Sequence, residues 1–66
     1  MTHEVIYYTV EDEGGFVFKE FDTLDEAREW LKENKYDDMK YIAGFKQIRD
    51  EDDDVLDETE IYVEEL

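Results

Sequence analysis

Cysteine is absent from this 66-residue chain, and so are proline and serine. Without cysteine there is no disulfide and no thiolate metal site, which fits a reducing cytoplasm. Without serine or cysteine the commonest side-chain nucleophiles are missing. The one histidine, His3, cannot form a histidine cluster. No apolar run approaches the roughly 20 residues that span a bilayer. The opening MTHEVIYYTVEDE lacks the basic start and apolar centre of a secretory signal. The expectation is a soluble, cytoplasmic protein that is not an enzyme and carries no cofactor or dedicated metal. Positive charge is scarce too: five lysines and two arginines face 22 carboxylates, a net charge of −15. Such a balance repels nucleic acid and anionic membranes and favours basic partners.

Hydrophobic residues make up 41% of the chain and aromatics 15%, too much apolar material for an acidic disordered tail. One small domain over residues 1–66 is expected, with a core so modest that oligomerisation is a natural reinforcement.

The stretch HEVIYYTVEDE alternates Val5, Tyr7 and Thr9 with Ile6, Tyr8 and Val10, a strand pattern over 4–11. Gly14 and Gly15 supply a turn, and FVFKEF continues as a strand over 15–21. Thr23 followed by Glu26 is a capping-box start. Leu24, Ala27, Trp30 and Leu31 then recur at helical spacing, so a helix is expected over 24–34. A third strand is read over 39–49, with a bulge at Gly44 that would bring Ile42 and Phe45 to one face. A fourth is read over 60–65. The fold class is α+β, a four-stranded antiparallel sheet with one helix on one face, in the order β-β-α-β-β. An eleven-residue helix leaves the second face bare, and that face carries Tyr and Phe side chains. Such a face suggests a homodimer or a partner surface.

Between the last two strands lies IRDEDDDVLDETE, where eight of thirteen residues are carboxylates. It is either a long hairpin loop or the flared ends of both strands. Asp50, Asp52 and Asp54 open like a calcium-binding EF-hand loop, but the sixth position is Val55 rather than glycine and the twelfth is Ile61 rather than glutamate. Weak divalent-cation attraction is then all that follows. A solvated acidic loop is the ordinary reading of a charge run, and haloadaptation extends it to a whole surface. A solvated loop alone leaves unexplained why Glu11, Asp12, Glu13, Glu20, Asp22, Asp37, Asp38, Glu64 and Glu65 are also unbalanced. Haloadaptation explains it, but five lysines against two arginines and many large aromatics weigh against that variant. Recognition of a basic partner is the other explanation. Same-face strand residues recur about every 6.6 Å, and DNA rises about 3.4 Å per phosphate, so rows of carboxylates approximate rows of phosphates. Candidate partner-binding residues are Asp50, Glu51, Asp52, Asp53, Asp54, Asp57, Glu58, Glu60, Asp37, Asp38, Glu11, Asp12 and Glu13, with Tyr36 and Tyr62 as aromatic anchors. On the helix, Asp25, Glu29 and Glu33 form an acidic edge beside a basic edge of Arg28, Lys32 and Lys35. Ordinary salt bridges such as Asp25–Arg28 and Glu29–Lys32 explain that pattern best.

In size, charge and β-rich make-up, and in the segments EDE, YDD, RDEDDDVLDETE and VEEL, the chain resembles the small acidic inhibitors encoded by bacteriophages, several of which are DNA mimics. These include anti-CRISPR and anti-restriction proteins, inhibitors of uracil-DNA glycosylase and inhibitors of host nucleoid proteins. The resemblance implies a stoichiometric binder, often dimeric, that occupies the DNA site of a basic host protein. A nucleoid architectural protein of the HU kind, or a defence nuclease, is the type of target implied. The alternative is an acidic accessory domain without mimicry.

Overall fold

The computed structural model describes residues 1–66. Strand β1 (His3–Glu11) is followed by β2 (Val17–Phe21), helix α1 (Leu24–Asn34), β3 (Tyr41–Arg49) and β4 (Val55–Glu65). All neighbouring strands pair antiparallel, in the order β2-β1-β3-β4. The body is 41 Å long and 22 by 16 Å across. No helix is long and apolar enough to cross a membrane.

The first hairpin opens later than its sequence suggested because Asp12 commits its side chain to the turn. Its Oδ1 accepts from the backbone N–H of Gly14 at 2.9 Å and of Phe16 at 2.7 Å. Gly15 takes φ +91°, a conformation glycine adopts without penalty. Strand pairing therefore resumes at Val17 rather than at residue 15. Thr23 caps the helix as its sequence implied, its Oγ1 accepting from Glu26 N–H at 3.2 Å.

The helix lays Ala27 and Leu31 on Val10, Phe21 and Ile42, and Met39 plugs the same cluster from the loop before β3. Met39 is thus core without being strand, which starts at Tyr41 rather than 39. Val10 and Ile42 are completely buried, and each contributes roughly 1.5–3 kcal/mol by burial. The helix lies mainly over β1 and β2 and reaches β4 through Arg28, so the end of the sheet at Val55–Glu60 is exposed on both faces. Ile6, on the helix side, is exposed there.

Two expectations are corrected. The fourth strand begins at Val55, not Glu60, so the acidic segment is a tight turn followed by strand rather than a long loop. Asp50 makes the turn compact: its Oδ1 accepts from the N–H of Asp52 at 2.9 Å and of Asp54 at 3.0 Å. Asp53 sits at φ 64°, a left-handed position that Asp tolerates better than most residues. Because both faces are wet here, a strand can carry carboxylates on either side, and no apolar alternation announces it.

The second correction concerns Gly44. β3 pairs with β1 without interruption, from Glu11 opposite Tyr41 to His3 opposite Arg49. The irregularity beside Gly44 lies instead in the pairing with β4, where Ile61 has no opposite residue. Ile42 and Phe45 consequently point to opposite faces, Ile42 into the core and Phe45 onto the bare side.

Candidate functional site

Alternation along three strands places Tyr7, Phe45, Gln47, Arg49, Glu58 and Glu60 on the bare face of the sheet. Tyr7 stacks on Phe45 with ring centres 5.4 Å apart and planes inclined by 26°. The Tyr7 hydroxyl donates to Glu58 Oε1 at 2.6 Å, and Gln47 Nε2 donates to the same oxygen at 2.7 Å. Arg49 in turn donates to Gln47 Oε1 from Nε at 2.9 Å and from Nη2 at 2.6 Å. A cation is thus relayed to a carboxylate through an amide rather than paired with it directly. Beside this network the Thr9 hydroxyl donates to Glu11, and both residues are buried.

The electrostatics follow the contacts. Donation from Tyr7, and then from Gln47, holds the Glu58 carboxyl below its ordinary value. Desolvation, reinforced by the Glu58 carboxylate and by Glu20 and Glu11, pushes the Tyr7 phenol up to about 12. Tyr41 is raised as well, first by desolvation and then by Glu11, Glu60 and Asp12. For a phenol raised on folding, the stabilisation is complete below the unfolded value of 10 and is lost as pH rises towards 12. Stability is therefore expected to fall across that interval, and the Tyr7→Phe variant is expected to lose less over it. Thermal melts at stepped alkaline pH check this, with tyrosinate absorbance reporting the late-titrating phenol.

Of the thirteen carboxylates expected to meet a partner, all but Glu11 fall into two poles and a connecting edge. Asp50, Glu51, Asp52, Asp53 and Asp54 form the β3–β4 turn at one end. Carboxylate oxygens of Asp50, Asp52 and Asp54 lie within 4.8 Å of one another. Backbone capping by Asp50 accounts for that convergence. Asp53 lies 3.2 Å from His3 Nε2. Asp12, Glu13 and Asp38 gather at the other end and line one cleft with Lys40; Glu11, expected to meet a partner, is instead buried, its carboxylate accepting from the Thr9 hydroxyl. Asp37 and Tyr36 adjoin it in the same loop; Tyr36 is 52% exposed and packs edge-on against Phe18 at 5.6 Å. Strand β4 joins the poles. Glu58 and Glu60 share the bare face, whereas Asp57, opposite Ile48, points to the helix side.

Tyr62 is placed differently from Tyr36. It is half-buried, packs edge-on against Tyr8 at 6.1 Å, and belongs to a clamp between helix and sheet. Arg28 Nη2 donates to Glu64 Oε1 at 2.6 Å and to the Tyr62 hydroxyl at 3.1 Å, and Tyr62 itself donates to Glu64. Tyr62 and Arg28 together hold the Glu64 carboxyl low. Arg28 thus reaches across to β4 rather than to Asp25, while Lys32 pairs with Glu29 at 3.3 Å. The basic edge of the helix is largely spent inside the molecule.

Four of the 22 carboxylates have a lysine, an arginine or the N-terminal ammonium within 4.0 Å, and a fifth, Asp53, has His3. The others are uncompensated. Val55, Leu56, Ile61 and Val63 on β4 are each 45–58% exposed among them. The Tyr7–Phe45 stack and these β4 side chains escaped the list of site residues drawn from sequence. Alternation from Val5 to Val10 puts Tyr7 on the face opposite Tyr8 and Val10, but with both faces apolar it does not say which one is core. No family model matches the chain, and neither curated proteins nor solved structures give a significant match.

Proposed function

We propose that this protein is a DNA-mimic inhibitor that occupies the basic nucleic-acid-binding surface of another protein. The observation that carries the reading is the acidic belt along the long axis, from the 50–54 turn down β4 to the opposite pole. The whole body is 41 Å long, and one DNA strand presents about twelve phosphates over such a length. Alternate residues such as Glu58 and Glu60 repeat at about 6.6 Å, within the spacing that lysine and arginine side chains bridge. Exposed apolar side chains of β4 lie between the acids and supply contact area that phosphates lack.

The target class is a basic DNA-binding protein that reads backbone and shape, such as a nucleoid architectural protein of the HU kind, or a defence nuclease. Such proteins gain most of their affinity from phosphate neutralisation, and carboxylates offer the same charge. A second copy of the chain fits the bare face less well. The carboxylates around Tyr7 and Phe45 would meet their own counterparts, and like charges placed opposite one another are destabilising.

The test is capture of basic DNA-binding proteins from a bacterial lysate, followed by competition with duplex DNA. The expected outcome is a discrete partner that DNA displaces and that elutes as salt is raised. Binding should weaken roughly tenfold or more between low and physiological salt, since the contacts are charged and exposed. Capture of a smear of basic proteins, indifferent to DNA, would leave an acidic accessory domain as the better description.

A further inference from the structure

A second feature lies on the other layer, where α1 meets the edge strand β2. A groove of about 450 Å³ opens there over the rings of Trp30 and Phe21, with Glu26, Glu29 and Glu33 of the helix along its wall. The two rings are 5.6 Å apart and tilted by 54°. Lys19 enters the groove, and its ammonium stands 5.7 Å from the Phe21 ring centre and 5.9 Å from that of Trp30. It has no carboxylate within 4.0 Å. Glu29 is paired with Lys32, while Glu26 and Glu33 have no cationic partner.

We propose that this groove is a recognition slot for an arginine side chain of a basic protein partner, held in the free protein by the chain's own Lys19. An aromatic floor and unpaired acidic walls are the two elements that bind a cationic side chain. Lys19 uses only the floor. A guanidinium uses both, because its plane stacks on a ring while its fork donates to a carboxylate, which a compact ammonium does less well. Lys19 rides on an exposed edge strand and can swing out to solvent as the incoming group arrives. The slot is separate from the acidic belt on β4 and does not depend on mimicry of DNA.

Trp30 is the only tryptophan, so its fluorescence reports the groove alone. The experiment titrates the protein with an oligo-arginine peptide and with an oligo-lysine peptide of equal length, and follows Trp30 emission while calorimetry records total binding. A saturable Trp30 response, stronger for arginine, is expected. Lys19→Ala should tighten it about two- to fivefold by removing the competing cation. The Glu26→Gln/Glu33→Gln double variant should weaken it by a similar factor. Thermal melts of each variant establish that it is folded. Calorimetric binding with a silent Trp30, an equal response to lysine, or an identical response in all three proteins would overturn the proposal. None of these readouts involves DNA, so the slot and the mimicry stand or fall separately.

Discussion

Changing Asp50, Asp52, Asp53 and Asp54 together to Asn is expected to weaken binding to a basic DNA-binding protein about thirtyfold or more, while leaving the fold intact. The size comes from four exposed charge contacts at roughly 0.5–1 kcal/mol each, with every 1.4 kcal/mol worth tenfold. Asparagine is the right replacement because the turn depends on an oxygen of residue 50, which accepts from Asp52 and Asp54 N–H. An amide oxygen accepts those bonds as a carboxylate does. Asparagine also tolerates the left-handed backbone of residue 53. Removing four like charges from a chain of net charge −15 relieves self-repulsion. The variant should therefore melt no earlier than the parent at low salt. Isothermal titration against the captured partner, with melts run in parallel, separates the two effects. Unchanged affinity would move the footprint off the turn and onto Glu58, Glu60 and the opposite pole.

Which parts of this protein are legible in its sequence depends on whether one side of an element is dry. The helix is read to the residue, because Thr23 caps it and Ala27 and Leu31 must face the core. β1 is nearly as clear as a strand, since Tyr8 and Val10 turn to the helix side while Val5 and Tyr7 turn to the other face. β4 is the opposite case. Its first half has water on both sides, so Asp57, Glu58 and Thr59 carry no periodic signal, and the strand exists because β3 offers an unpaired edge. The turn before it was hidden for a related reason: five acids in a row look like a loop, yet one of them, Asp50, closes the turn. Charge composition drew attention to the acids but could not sort them. Pairing register does so, sending Glu58 and Glu60 to one face and Asp57 to the other. It also separates two tyrosines that look alike in sequence, leaving Tyr36 exposed and committing Tyr62 to the clamp with Arg28 and Glu64.

That clamp and the acidic edge it carries hang on one residue without a side chain. Gly44→Ala is expected to destabilise the protein by about 2–3 kcal/mol, the cost of overpacking a filled site. A Cβ at this position would lie 2.6 Å from Tyr8 Cε2 and 2.9 Å from Tyr62 Cβ. The Tyr8 ring can swing only by leaving the core cluster and its edge-on contact with Tyr62. The Tyr62 Cβ is fixed to the backbone of β4 and has no such freedom, so β3 and β4 must part or shear. Either movement strains the Arg28–Glu64–Tyr62 hydrogen bonds and loosens the edge that displays Glu58 and Glu60. For a domain of this size the midpoint should drop by roughly 10–20 °C, read by circular dichroism. Gly14→Ala is the matched control: its nearest neighbour would be Asp12 Oδ1 at 3.7 Å, an ordinary contact, and its effect should stay within about 0.5 kcal/mol. If the two variants melt together, the close approach of three strands at Gly44 is not what fixes β4. If Gly44→Ala alone falls, and loses partner binding at temperatures where it is still folded, the geometry of β4 and the proposed partner surface are one property of the molecule.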